Sequence, residues 1–315
     1  MKKMSLIAAA VIAGAMAFTG CAKKNDGKIS IGVIQLVEHI ALDANYQGFV
    51  DGLKEAGYVD GENITIDYQN AQGEQANCTT IADKFVSDKK DLIFAIATPA
   101  AQAIAAKTES IPVLISSVTD PQSAGLADTN EKPGHNITGT SDLTPCAAQI
   151  DLIKSIFPNA KKVGMLFCSA EDNSRFQIDL AEAECKKIGL EYEEFTVSNQ
   201  NEVMTVVQSM VGKVDAIYAP TDNMIAATMG VVSEVATGAK LPVICGEDGM
   251  VQSGGLATYG LNYYQLGKQT AAMAVEILKN GKNPAEMPIQ YLETCDFSYN
   301  KETADLIGVD LSKFN

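Results

Sequence analysis

The chain has 315 residues, 46% hydrophobic and 20% charged, the composition of a folded globular protein and not of a disordered one. That length exceeds what a single hydrophobic core usually spans, about 250 to 300 residues, and points to two domains. Lys plus Arg total 24 against 39 Asp plus Glu, a net charge of -15 that excludes a phosphate backbone as partner, and two His, His39 and His135, leave little for a metal site.

Met1-Lys2-Lys3-Met4 is a basic start, Ser5 to Phe18 an apolar run of signal-peptide length, and Thr19-Gly20 put small residues before Cys21. The junction is similar to a bacterial lipobox, with Phe18 where Leu is usual. Residues 1–20 are expected to be removed as a lipoprotein signal peptide, Cys21 to carry lipid at the new N-terminus, and 21–28 to form a short polar tether. Ordinary signal cleavage beside an incidental Cys is the alternative. Cleavage leaves 295 residues with a net charge of -17. The six remaining Cys (Cys78, Cys146, Cys168, Cys185, Cys245 and Cys295) permit disulfides, but none shows CxxC spacing. Mostly free thiols, behaving as small hydrophobes, are expected.

From Ile29 onward, short β-rich runs alternate with helical ones, as in parallel sheets covered by helices. Strands are expected from Ile29 to Leu36, Ile64 to Tyr68, Leu92 to Ala97 and Val113 to Ser116, with helices from Leu42 to Gly57, Gln75 to Ser87 and Pro99 to Lys107. The pattern then restarts. Helices are expected from Cys146 to Phe157, Ser174 to Gly189, Glu202 to Val211 and Asp222 to Thr237, and strands from Lys162 to Phe167, Glu191 to Thr196, Ala216 to Ala219 and Val243 to Gly246. A strand from Leu256 to Gly260, a helix from Gln265 to Asn280 and a strand near Ile289 to Leu292 close the chain. The fold class is α/β, with two Rossmann-like doubly wound lobes and a ligand cleft between them. The N-terminal lobe is expected at 29–139 plus about 259–284, the C-terminal lobe at 140–258 plus about 285–315. Hinges are expected near Gly139-Thr140, Thr258-Tyr259 and Asn283-Pro284.

Open α/β sheets bind ligands at the C-terminal ends of their strands. The loops there read Val37-Glu38-His39, Ala97-Thr98-Pro99-Ala100, Ser117-Val118-Thr119-Asp120-Pro121, Cys168 to Ser174, Pro220-Thr221-Asp222-Asn223 and Gly246-Glu247-Asp248-Gly249. Each alone reads equally well as a helix start, because Ser, Thr, Asp and Asn are preferred N-caps. Six of them converging on one cleft argue for a site. The candidate ligand-binding residues are His39, Thr98, Ala100, Thr119, Asp120, Ser141, Asn173, Ser174, Asp222, Asn223, Asp248 and Tyr259, with His39 opposite the first helix and Tyr259 at a crossover.

These loops, with Asn136-Ile137-Thr138-Gly139-Thr140-Ser141-Asp142 and Gly255-Leu256-Ala257-Thr258-Tyr259-Gly260 running into Tyr263-Tyr264-Gln265-Leu266-Gly267, resemble the ABC-transporter substrate-binding proteins of the TrpX-like family. The resemblance runs from about residue 29 to 292. It implies the type I periplasmic-binding-protein fold and capture of a small solute, usually an aromatic amino acid (Trp, Tyr or Phe). It further implies delivery to a membrane permease with an ATPase subunit, by an extracytoplasmic, lipid-anchored chain that is expected to be a monomer.

There is no GxSxG elbow, no Walker GxxxxGK[ST] and no GxGxxG after the first strand, so neither an enzyme nor a cofactor is expected. A sugar-binding protein of the same fold, or a ligand-sensing receptor subunit, is the alternative. No Trp and a single Arg disfavour a sugar cleft. The ligand carboxylate is expected on Thr98 and the amides after Pro99, with Asn173 and Ser174 opposite, because helix N-termini carry partial positive charge. The ammonium is expected on Asp222, with Asp248 as the competing anion and a plain N-cap as the other reading of Asp222. Arg175, the lone guanidinium, reads either as a carboxylate clamp or as a solvent-facing first-turn residue.

Overall fold

The structure, a computed structural model, describes residues 27–314. The expected signal peptide, the lipidation site Cys21 and most of the tether lie outside the described residues.

The first sheet contains β1 (Ile29–Gln35), β2 (Ile64–Asn70), β3 (Leu92–Ile96), β4 (Val113–Val118) and β5 (Ile137–Ser141), all parallel in the order β2-β1-β3-β4-β5. Helices α1 (Ile40–Glu55), α2 (Gln75–Ser87) and α3 (Thr98–Ala105) connect them. The second unit begins with α4 (Cys146–Ile156) and runs through β6 (Lys162–Cys168), α5 (Asp172–Ile188), β7 (Glu191–Val197), α6 (Val203–Met210), β8 (Ala216–Ala219), α7 (Asn223–Ala227), α8 (Met229–Gly238), β9 (Val243–Cys245), α9 (Asp248–Gln252) and β10 (Ala257–Gly260). The chain then forms α10 (Tyr263–Asn280), β11 (Asp296–Tyr299) and α11 (Lys301–Ile307). The second sheet has the order β11-β10-β9-β8-β6-β7, parallel except for β11.

Burial explains why the strands read as they do. Central β3 and β8 are covered on both faces and appear as unbroken apolar runs, whereas edge strands β2 and β7 carry polar residues. Helix α10 returns to the first unit and packs on α1. The approach is so close that a Cβ at Gly48 would stand 2.0 Å from the Tyr264 carbonyl oxygen, and one at Gly267 2.0 Å from that of Asn45. From there the Thr270 hydroxyl reaches Thr140 (2.8 Å), which reaches Ser116 (2.7 Å), tying α10 to β5 and β4.

The alternation of elements is as expected, and the exceptions have local causes. The boundaries expected at 139/140 and 258/259 fall inside β5 and β10, because Thr140 and Ser141 pair with the first sheet and Tyr259 with the second. Met287 and Ile289 pack in the first core. The helix expected from Asp222 to Thr237 breaks at Thr228, whose hydroxyl bonds the Met224 carbonyl. In place of a strand near Ile289 to Leu292 there is a single bridge, Thr140 to Gln290. Strand β11 and helix α11 were not expected, since β11 is a half-exposed edge with no apolar run. It is held by the rings of Tyr259, Phe297 and Tyr299. All six Cys among the described residues are free and five are buried, as the sequence led us to expect. Burial pushes their thiols up, Cys78 to about 11 and Cys168 to about 12.

Candidate ligand-binding cleft

The loops after β1, β4 and β5 face those after β6, β8 and β9 across a small cavity. His39, Leu42, Ser117, Asp142 and Tyr263 line it from one side, and Asn173, Thr221, Asp222, Asn223, Ala226 and Glu247 from the other. Among the described residues three hydrogen bonds cross between the sides: His39 Nε2 to Asn223 Oδ1 (3.5 Å), Gln177 Nε2 to Thr119 Oγ1 (3.3 Å) and Gln102 Nε2 to Asp172 Oδ2 (2.9 Å). The cleft is closed.

Local backbone geometry aims the loops. Ala97 and Ser117, at the ends of β3 and β4, have φ of 83° and 53°, a region that costs a non-glycine residue about 1 to 3 kcal/mol and persists where its surroundings hold it. Ser117 sits where the β4–β5 register shifts between Ile115 and Val118. Asn45 of α1 holds it, donating from Nδ2 to the hydroxyls of Ser116 (2.7 Å) and Ser117 (2.8 Å). A Ser117 hydroxyl that already accepts keeps its hydrogen for the cavity.

Four buried carboxyl groups surround the cavity. Asp222 caps α7: Oδ1 accepts the Ile225 N–H (2.8 Å), and Oδ2 accepts the Cys168 N–H (2.6 Å) and the Ser174 hydroxyl (2.7 Å). Glu171 accepts the N–H groups of Asn223 and Met224 and the side-chain amides of Asn223 and Asn173. Burial pushes it upward, and Asp222 adds to that. Glu247 caps α9 through the Gly249 and Met250 N–H groups, and burial raises it to about 7. Asp142 differs. Its Oδ2 accepts the Tyr263 hydroxyl at 2.8 Å, while buried Oδ1 has no hydrogen-bond partner. Burial raises Asp142 to about 6, tempered by Tyr263, its own backbone N–H and Thr119. His39, desolvated, is pushed down to about 4 and is therefore neutral.

Unpartnered buried polar atoms are rare in folded proteins. Here Asp142 Oδ1, Asn173 Oδ1, Thr221 Oγ1 and His39 Nδ1 all belong to residues on this one cavity wall, and Thr98 Oγ1 lies at the neighbouring strand end. The other unpartnered atoms among the described residues, Gln35 Oε1, Asn45 Oδ1, Thr144 Oγ1 and Gln269 Oε1, do not line this cavity, so it gathers four of the nine and is the candidate site.

Of the residues expected from sequence, the cavity is lined by His39, Asn173, Asp222 and Asn223. Thr98, Thr119, Ser141 and Ser174 are buried behind it: Ser141 bonds the Thr119 carbonyl (2.6 Å), and Ser174 donates to Asp222. Ala100 is in the first core. Asp120 is occupied by Ser123 and Asn130 within its own loop, Asp248 by Gln252 and Ser298, and Tyr259 packs on Phe297. Arg175 faces outward, paired with Asp179 (2.8 Å) and Glu194 (2.9 Å), so the solvent-facing reading holds over the clamp. Sequence reasoning did not select Leu42, Ser117, Asp142, Thr221, Ala226, Glu247 or Tyr263. Ser117, Thr221 and Glu247 stand in the strand-end loops, Asp142 follows Ser141 and Tyr263 opens the segment Tyr263-Tyr264-Gln265-Leu266-Gly267, whereas Leu42 and Ala226 carry no polar signal that marks a site. Among the described residues no His, Cys, Asp and Glu group could hold a metal, and no helix is long and apolar enough to cross a membrane.

Two lobes of mostly parallel α/β structure closed over one cavity define a type I periplasmic-binding-protein architecture. The profile of the ABC transporter substrate binding proteins matches residues 30–313, and the chain belongs to that family. Its role is solute binding outside the cytoplasm for an ABC importer, not catalysis, and its partners are the permease and ATPase subunits. The chain is 42% identical to the tyrosine-binding protein of Clostridioides difficile (strain R20291), covering 100% of this chain and 94% of that one. Among solved structures, the ABC domain in complex with L-Trp from Streptococcus pneumonia matches with a TM-score of 0.87 at 39% identity, covering 91% of this chain and 96% of that one. The ligand-free, open structure of a substrate-binding protein with adhesive properties from Clostridium difficile is 46% identical over 89% of this chain and 95% of that one. Its TM-score is 0.68. The lower score against an open relative of higher identity agrees with the closed cleft seen here.

Proposed function

We propose that this protein captures an aromatic amino acid by closure of its lobes and presents it to the importer from a lipid-anchored, monomeric chain. The observation that carries this reading is the set of unpartnered buried polar atoms around one closed cavity, with Leu42 and Ala226 as its apolar wall. The printed ligands of the tyrosine-binding and L-Trp-bound relatives support the side-chain class. The lobes divide at about 29–142 with 262–292, and 143–261 with 293–314, following the sheet in which each segment pairs or packs.

The charged head of the ligand is assigned by available lone pairs. Asp222 already commits both oxygens to protein donors, which favours the N-cap reading over an ammonium site. Asp142 Oδ1 and Asn173 Oδ1 are bare acceptors, so the ammonium belongs there. Asn173 Nδ2 and Ser174 already donate elsewhere, so the carboxylate falls to the hydroxyls of Ser117 and Thr221, which line the cavity, and not to Thr98 behind it.

A thermal-shift screen of the mature protein against all amino acids and a sugar panel tests the reading. A ligand at about 100 times its Kd adds about 2.7 kcal/mol of stability. Trp, Tyr or Phe is expected to give the largest shift. A response to glucose, ribose or a branched aliphatic amino acid, with all three aromatics silent, would overturn it.

A further inference from the structure

His39 sits between β1 and α1 on the cavity wall, with Nε2 3.5 Å from Asn223 Oδ1 and a buried, unpartnered Nδ1. Which nitrogen carries the hydrogen is decided by a relay of neighbours. The Asn223 Nδ2 and backbone N–H both donate to Glu171 Oε2, which orients the amide so that its oxygen, not its nitrogen, faces the imidazole. The remaining contacts of Glu171, from Met224 N–H and Asn173 Nδ2, are also donors, so Glu171 has no reason to reverse this orientation. An oxygen opposite Nε2 requires the hydrogen on Nε2. Burial opposes a second proton on the ring. Nδ1 is left as a fixed acceptor, desolvated, with nothing in the protein to satisfy it.

We infer that His39 Nδ1 accepts a hydrogen bond from the ring donor of the bound amino acid, the phenol O–H of Tyr or the indole N–H of Trp, so that the cleft discriminates against Phe. This rests on the aromatic amino-acid reading above and adds the residue that chooses within that class. The physical source of the discrimination is that Phe fills the same apolar space but leaves a buried acceptor without water or partner, a loss of about 1 to 3 kcal/mol. That is about tenfold to a hundredfold in Kd. The head of the ligand does not need this nitrogen, since Asp142 and Asn173 supply acceptors of their own.

The test is titration calorimetry of the mature protein with Trp, Tyr and Phe, repeated on His39→Leu and His39→Gln. Wild type is expected to bind the better of Trp and Tyr at least about tenfold more tightly than Phe. His39→Leu should bring that ratio to within about threefold of unity. His39→Gln places an amide N–H toward Asn223 and an oxygen toward the cavity, and should retain most of the ratio. It also provides the control if the Leu variant folds poorly. Equal wild-type affinity for Phe and both donor-bearing ligands overturns the inference while leaving the aromatic reading intact. A ratio unchanged in His39→Leu, with all three ligands weakened alike, also overturns it by placing His39 at the common head. Wild type that binds none of the three removes the aromatic reading itself.

Discussion

Replacing Asp142 by Asn separates ligand recognition from fold stability. Asp142 is 4% exposed, with one carboxyl oxygen bonded to the Tyr263 hydroxyl and the other, Oδ1, buried without a hydrogen-bond partner. In the ligand-free protein this is a buried charge whose desolvation outweighs the hydrogen bonds it receives, so its removal should leave stability unchanged or raise it, because Tyr263 can still donate to the carboxamide oxygen. With ligand bound, the same substitution turns an N–H group toward the ammonium. Removing one partner of a buried charge pair typically costs about 2 to 5 kcal/mol. At about 1.4 kcal/mol per decade this is a roughly thirtyfold to several-thousandfold loss in Kd. Calorimetry with the best amino acid and with its des-amino analogue, alongside urea unfolding of the free protein, provides the readout. The amino acid should lose its advantage over the analogue while the unfolding midpoint holds or rises. Asp222→Asn should behave oppositely, losing stability first, because its oxygens serve three protein donors. An amino acid that keeps its full advantage on Asp142→Asn refutes the assignment of the ammonium.

The same burial predicts a pH dependence. Asp142 and Glu247, raised to about 6 and about 7, hold protons in the folded state that the unfolded chain has released, so the stability they contribute is lost as pH rises from about 4 to about 7. His39, lowered to about 4, has the opposite sign and loses stability as pH falls below about 6.5, but one His against these two carboxyls and the likewise raised Glu171 and Asp222 leaves a net decline with pH. Urea unfolding of the ligand-free protein between about pH 4.5 and 7.5 should show this decline, flatter in Asp142→Asn; a rise across that window counts against it. Ligand affinity should weaken as Asp142 protonates below about pH 6, by up to tenfold per unit. Gly48→Ala should destabilise the fold by about 1 to 3 kcal/mol or more, since the added methyl meets the Tyr264 backbone and not a movable side chain; an unchanged unfolding midpoint would contradict the α1–α10 packing. Cys21→Ala should abolish lipid labelling and membrane retention in cells, and absence of lipid on the wild-type chain would remove the anchor from the proposal.

The alternation of elements was legible because each strand buried on two faces must be an apolar run and each covering helix must repeat near 3.6 residues. The loops at the strand ends followed, since parallel sheets place their ligand-binding ends together. The periodicity of α10 was legible too, but not the lobe it joins, which rests on Gly48 and Gly267 meeting carbonyl groups more than 200 residues away in sequence. Sequence marked Asp222 and Asp142 with the same letter. Only the tertiary structure shows that one has both oxygens filled by Ile225, Cys168 and Ser174 while the other keeps an oxygen bare. A side chain's type sets how many hydrogen bonds it can make, and local sequence limits which backbone groups it can cap. Whether a lone pair is left over for a ligand depends on neighbours brought together from both lobes, and that count exists only in the folded, closed protein.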